Sequence, residues 1–393
     1  MIDERLLNTA IESALENLDI TPAMFKEAEG HYKAIASFLS EKGVAAEIST
    51  FGSIATGTVT RPYSPDEESY FDFDVLCVRS DLDKNACKPS EVRQPIEKAI
   101  RSSDRYSPMA KTCNECITIE YVLNGKTGGF RLDINPCVNN IGNEPEITEC
   151  STWPLFSDNT VSIAQANSEE WLGSNPNGFV SWFKTENGRF AKAIRDTQRA
   201  KIFASSRNLF ASIEEVPVEL ERTQLQRAIQ FIKRSRDVHY HNASSQNKKP
   251  TSCVLMVLTC HAAESLPDEA SAMEIVRAFT SMISTLEFKA SLHEQSIIGT
   301  PGKWRLDNPV YEGNLIEQEW TDQDTEAMFA WNRALKNDLA DLKRGGEFTY
   351  AATRSLLGKG SVSAAATKFI MEEQTLRSPN TISSTNKPWS RSL

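Results

Sequence analysis

The sequence predicts an α+β fold in which a mixed, antiparallel-leaning sheet with one spine helix is followed by a separate helical lobe. Three observations lead to it. The first 150 residues alternate β-rich runs with two helical stretches, and the second half holds four long segments of helical period. One of those four, "TSCVLMVLTCHAAES", is apolar on every side, as the buried centre of a helical lobe should be. At 393 residues the chain is long enough for two lobes around a cleft.

In chain order, "ITPAMFKEAEGHYKAIASFLSEKG" reads as the spine helix. Thr21 is placed to cap it, Pro22 suits its first turn, Phe25, Ala28, Tyr32, Ile35 and Leu39 form one stripe, and Gly43 is a stop. "VAAEISTF" is a short strand running into Gly52-Ser53, "YFDFDVLCV" a second strand, and "EVRQPIEKAIRSS" a helix. "CITIEYVL" and "FRLDINPCV", joined through Asn124-Gly125 and further glycines, carry a hairpin signature. The helices of the second half are "ELERTQLQRAIQFIKRSRDVHYH", the apolar segment above, "EASAMEIVRAFTSMISTLEFKASLHEQ" and "TDQDTEAMFAWNRALKNDLADLKRG", interrupted by the loop "GTPGKWRLDNPVYEGN". "RSPNTISSTNKPWSRSL" has no period and reads as a flexible tail. The expected division is a catalytic lobe over 1–185, a helical lobe over 186–375 and the tail over 376–393.

Charged residues make up 24% and hydrophobic ones 40%, values of an ordinary soluble protein. No apolar run reaches membrane-spanning length, and the acidic, amphipathic start is unlike a signal peptide. The expectation is a cytoplasmic protein with its eight cysteines as thiols and no membrane partner. A formal charge of −10 argues against a protein that coats long nucleic acid, while leaving room for local basic pockets that take small phosphorylated ligands.

The acids of "YFDFDVLCV" are the informative feature. Side chains two apart on a strand share a face, so Asp72 and Asp74 point one way, about 7 Å apart, and Phe71, Phe73 and Val75 the other. In "FRLDINPCV" the same alternation puts Arg131, Asp133 and Asn135 opposite Phe130, Leu132 and Ile134. If the strands are neighbours, three carboxylates converge, an unfavourable arrangement unless a cation occupies it. Hard oxygen ligands select Mg2+ or Mn2+, and two such ions about 4 Å apart serve phosphoryl transfer. The bland alternative is an edge strand with a polar wet face. Gly52-Ser53 just upstream favours the functional reading, because glycine permits close backbone approach and a serine hydroxyl with nearby amides holds phosphate oxygens; alone, the pair would be an ordinary turn.

Weaker signals lie elsewhere. Cys113-x-x-Cys116 with His239-x-His241 is a thin zinc candidate, since the pairs fall in different predicted lobes. The basic stretch "GRFAKAIRDTQRAKIFASSRN" either lines the cleft or forms the solvated face of a helix, the second being favoured.

Gly-Ser, then D-x-D on a strand, then an Asp on a later strand, resembles the DNA polymerase β-like nucleotidyltransferases. "LQRAIQFIKRSRD", "KPTSCVLMVLTCHAAE" and "DNPVYEGNLIEQEW" narrow the resemblance to the bacterial enzymes related to cyclic GMP-AMP synthase, the CD-NTases, over roughly residues 20–345. Those enzymes make cyclic di- or trinucleotide second messengers in antiphage defence. The resemblance implies a polymerase β-like lobe in which Gly52 and Ser53 hold donor phosphates. It also implies that Asp72, Asp74 and Asp133 bind two Mg2+ ions, with Asp133 helping to deprotonate the attacking hydroxyl. Lys233 and Ser252 would reach the triphosphate from the helical lobe; the plain alternative for Lys233 is a solvated charge in "KRSRD". It further implies NTP substrates, ATP among them, and regulatory or effector proteins from the same operon. The His/Cys cluster with which animal relatives clamp DNA is absent, in keeping with the acidic balance. The gap from Ser53 to Asp72 is long for the superfamily, with "RPYSPDEESY" expected to extend the loop beside the site. Two rival readings are template-independent nucleotide transfer to RNA or protein, and an inactive nucleotide-binding regulator.

Overall fold

The computed structural model describes residues 11, 14–61, 63, 70–122, 129–140, 159–191, 197–243, 247–291, 306–310, 320–342, 344 and 346–358. The spine helix forms as α1 (Pro22–Glu41). The Thr21 hydroxyl accepts from the Met24 N–H at 3.1 Å, and Phe25, Ala28, Ile35 and Leu39 are its buried stripe. There follow β1 (Glu47–Thr50), α2 (Gly52–Ala55), β2 (Tyr70–Val78), α3 (Pro89–Arg101), β3 (Ala110–Thr112), β4 (Ile117–Val122), β5 (Gly129–Asn139), β6 (Val161–Ala164) and β7 (Trp171–Ser174).

These strands make one sheet of order β1-β2-β5-β4-β3, with β6 on β5 and β7 on β6. The β4–β5 hairpin is antiparallel as expected, its turn around Asn124-Gly125 lying outside the described residues. The central pair, β2 and β5, is parallel. The other strand pairs described are antiparallel, so the sheet is mixed and leans antiparallel as expected, and the connection explains the parallel pair: α3 and the β3–β4 strands intervene, giving the long crossover that parallel neighbours need. β5 is 11 residues long, so one edge pairs with β2 while the other serves β4 first and β6 afterwards.

Alternation along β2 and β5 sends Phe71, Phe73, Phe130, Leu132 and Ile134 into a core with Ile35 and Leu39 of α1. Burying each of these side chains stabilises by about 1.5–3 kcal/mol.

The helical half comprises α4 (Pro176–Ala191), α5 (Thr197–Ser205), α6 (Gln224–Asn242), α7 (Ser252–Ala263), α8 (Ala272–Ser291), α9 (Asp322–Asp341) and α10 (Gly346–Leu357). α7 is the all-round apolar segment, and Val254 to Cys260 are buried against the second core. The chain exchanges material between the cores. Leu15 and Leu18 join Trp182 and Phe183 in the helical core, while Phe210, Val216 and Leu220 pack on the sheet side.

The basic stretch straddles α4 and α5, and its described charges engage the protein itself. Arg189 donates to the carbonyls of Leu266, at 2.7 Å, and Ala263; Arg199 pairs with Glu221 and Lys201 with Glu16. No helix among the described residues is long and apolar enough to cross a membrane. The segment read as a tail, 376–393, lies outside the described residues, as does all of "GTPGKWRLDNPVYEGN" except 306–310.

Candidate active site

The parallel register sets Asp74 opposite Asp133 and Asp72 opposite Arg131. Asp72 and Asp74 share the face away from the phenylalanines, as alternation predicts. Burial, then the neighbouring Asp133 and Asp72, pushes the Asp74 carboxyl up to about 7. Asp72 is raised by the same burial and by Asp133, opposed by Arg131 and Lys233. Among the described residues no hydrogen bond or ion pair reaches either carboxylate, and the nearby cations Arg131 and Lys233 offset their repulsion only in part. Hard oxygen donors that repel one another and lack partners suit a divalent cation. The three acids are not assembled around one point: no metal-holding group of three His, Cys, Asp or Glu side chains occurs among the described residues. Asp133 instead accepts from the Thr118 hydroxyl at 2.5 Å.

Gly52 has φ +63°, and a Cβ there would come within 2.4 Å of Asp74 Oδ2. Only glycine lets the backbone pass so close to that carboxylate. The Phe51 N–H donates to the Asp74 carbonyl at 3.0 Å, tying this turn to β2. Ser53 stands in the first turn of the four-residue α2, and its carbonyl accepts from the N–H groups of Thr58 and Val59 at 2.9 and 3.1 Å.

The loop after α2 is gripped by α6. Gln226 Nε2 donates to the Thr56 carbonyl at 2.8 Å, Gln230 Nε2 to Val59 at 2.8 Å, Lys233 Nζ to Thr58 at 2.9 Å, and Arg234 to Arg61. Gly57, at φ +64°, makes room for Gln226, whose Nε2 would lie 2.4 Å from a Cβ there. Lys233 is therefore not the solvated charge its setting in "KRSRD" suggested. It is 6% exposed, and burial followed by the nearby Arg236 lowers its ammonium to about 8. Ser252 begins α7, which Thr251 caps by accepting from the Val254 N–H at 3.3 Å.

Gly52, Ser53, Asp72, Asp74, Lys233 and Ser252 all line a single cavity of ≈ 1040 Å3 between the sheet and the helices. Asp133 is not on its wall and stands behind, on Thr118.

Several wall residues escaped the sequence reading. Arg236 is three residues from Lys233, hence on the same side of α6, a spacing hidden in a run of four basic and polar residues. Arg236 donates to the Pro250 carbonyl at 2.7 Å, and both it and Lys249 pair with Asp237. Tyr63, from the inserted loop, reaches the wall and meets the His241 ring edge-on at 5.6 Å. The zinc candidate does not assemble: Cys113 and Cys116 flank Thr118, His241 lines the cavity, and His239 faces a smaller pocket beside Trp331.

Residues 7–187 match the family described as the Second Messenger Oligonucleotide or Dinucleotide Synthetase domain. The chain is 23% identical over 346 residues to a c-di-GMP synthase of Roseivirga ehrenbergii, spanning 86% of this chain and 80% of that protein. Its fold is that of the CD-NTases. The CD-NTase CdnG of Bradyrhizobium diazoefficiens, solved with GTP, superposes with a TM-score of 0.66 at 19% identity, over 92% of this chain and 98% of its own. CdnC of E. coli MS115-1, solved with ATP, gives 0.57 at 14% identity, over 91% and 98%.

Proposed function

We propose that this chain is a nucleotidyltransferase that joins NTPs into a cyclic di- or trinucleotide, releasing one pyrophosphate for each phosphodiester bond; the match of residues 7–187 to the Second Messenger Oligonucleotide or Dinucleotide Synthetase domain and the CD-NTase fold support this reading. The observation that carries the proposal is the pair Asp72 and Asp74, which no hydrogen bond or ion pair among the described residues reaches, facing a cavity that Lys233 and Arg236 also line.

Asp72, Asp74 and Asp133 would hold Mg2+ or Mn2+, whose charge would favour the attacking alkoxide and the leaving pyrophosphate. Gly52 lets the turn pass directly beside the Asp74 carboxylate, which brings the start of α2 next to the acids. Ser53, in the α2 turn, offers a hydroxyl and amides to donor phosphate oxygens. Lys233 neutralises the triphosphate by exchanging the Thr58 carbonyl for phosphate oxygens, the better acceptors for an ammonium. Ser252, in the first turn of α7, meets the same phosphates where the helix presents its N–H groups. In this division the sheet lobe, 1–185, carries the chemistry and the helical lobe, 186–375, closes the cleft. The bound GTP and ATP of the two structural relatives support NTP substrates, ATP among them. A role in antiphage signalling, with effector proteins from the same operon, follows from the resemblance alone.

The test is incubation with an equal NTP mixture and Mg2+, followed by mass spectrometry. Phosphatase-resistant small products support cyclisation; label transferred to added RNA or protein would instead support transfer to a macromolecule.

A further inference from the structure

β4 lies beside β5 with Thr118 directly opposite Asp133. Thr118 is 6% exposed, and its hydroxyl lies 2.5 Å from Asp133 Oδ1, the short distance of an alcohol donating to a carboxylate. A threonine hydroxyl has one proton to give, and here it goes to Asp133 Oδ1. The direction of this bond is therefore fixed.

The surroundings hold the hydroxyl in place. Cys113 Sγ and Cys116 Sγ both lie 3.6 Å from Thr118 Oγ1, and thiols are weak partners that do not compete with the carboxylate. The turn bearing those thiols is itself anchored by Arg93, 3% exposed, which donates to the carbonyls of Cys113, Asn114 and Cys116 at 2.6, 2.9 and 2.9 Å. On the backbone side, Asn135 Nδ2 donates to the carbonyls of Asp133 and Val75 at 3.2 and 3.3 Å, locking β5 to β2 beside the acids. Threonine is stiff at χ1, so a fixed β4 fixes its hydroxyl.

We propose that Thr118 is a positioning residue: by holding Oδ1 of Asp133, behind the cavity wall, it sets the rotation of that carboxylate and leaves Oδ2 to turn toward a cation that Asp72 and Asp74 would hold at the wall. This rests on the reading of the three acids as a metal site. The motifs of the sequence do not include Thr118, and its role differs from that of Asp72 and Asp74, since it does not line the cavity.

The experiment titrates Mn2+ alone into the full chain, read by the loss of the free-ion electron paramagnetic resonance signal, beside turnover of NTPs. Thr118→Val should weaken Mn2+ binding about tenfold, the effect of one lost hydrogen bond to a charged group, and lower kcat with little change in KM. Thr118→Ser, which keeps the hydroxyl, should stay within about twofold of the wild type on the same scale. In an Asp133→Asn background the valine should add less than about twofold. Unchanged or tighter Mn2+ binding by Thr118→Val, or an equal loss in both backgrounds, overturns the proposal. Should the valine variant fail to fold, Thr118→Ala against Thr118→Ser gives the same comparison. A wild-type protein that makes no product while the Mn2+ pattern holds would sink the enzymatic reading and leave Thr118 in its role. Cyclic product with an unmoved Mn2+ affinity would do the reverse.

Discussion

Gly52 and Asp74 stand in direct opposition, with the glycine's missing Cβ placed 2.4 Å from Asp74 Oδ2. The contact joins the phosphate-side turn to the acid strand, and it leaves no room for any other residue.

Gly52→Ala should therefore displace the Asp74 carboxylate and strain the turn at φ +63°. The expected outcome is a fall in kcat of about a hundredfold or more, while Tm drops by only a few degrees because the core is untouched. Steady-state kinetics beside thermal denaturation checks it.

The pH profile follows from two shifted groups. Asp74 is ionised only above about 7, and Lys233 is charged only below about 8. kcat/KM at limiting Mg2+ should accordingly form a narrow bell between those values, the region in which the acid binds cation and the ammonium binds phosphate. Saturating Mg2+ should move the acid limb to lower pH, since a cation favours the charged carboxylate. A profile flat from pH 6 to 9 would contradict both assignments.

Asp74 also affects stability. Its carboxyl is raised from 3.8 to about 7, first by burial and then by Asp133 and Asp72, so the folded chain holds a proton that the unfolded chain gives up. Stability without metal should fall as pH rises through that window. Asp74→Asn removes the effect. It should raise Tm by several degrees at pH 8 and by under about 2 °C at pH 4, and Mg2+ should stabilise the wild type more than the variant.

The grip of α6 on the loop can be loosened selectively. Gln230 is fully buried and donates to both the Val59 carbonyl and Asp19 Oδ1. Gln230→Ala leaves both acceptors without this donor and should lower Tm by about 4 °C or more. KM for NTP should rise severalfold because Ser53 loses its rigid support, and the amides of residues 56–61 should exchange faster with deuterium. Unchanged exchange there would contradict the clamp.

Much of this was legible because it follows from local periodicity. Alternation of two places Asp72, Asp74 and Asp133 away from Phe71, Phe73 and Phe130, and the Thr21 cap is set within one helical turn. What depends on distant segments was not. The parallel pairing of β2 with β5 rests on a crossover whose parts, α3, β3 and β4, reveal their order only when packed. For Lys233 the neighbouring charges in sequence favour a solvated group and only the resemblance points it toward the cleft, whereas α6 turns it inward to the Thr58 carbonyl, 175 positions away. Thr118 carries no motif at all, and only strand pairing brings it to Asp133.

The assignment of the acids and of the product is tested most directly by one measurement: the products formed from an equal mixture of four NTPs with Mg2+, resolved by mass spectrometry for the wild type and for Asp74→Asn. The wild type is predicted to yield a phosphatase-resistant cyclic oligonucleotide with one pyrophosphate per bond, and the folded variant none. A folded Asp74→Asn protein that yields the wild-type amount of cyclic product would contradict it.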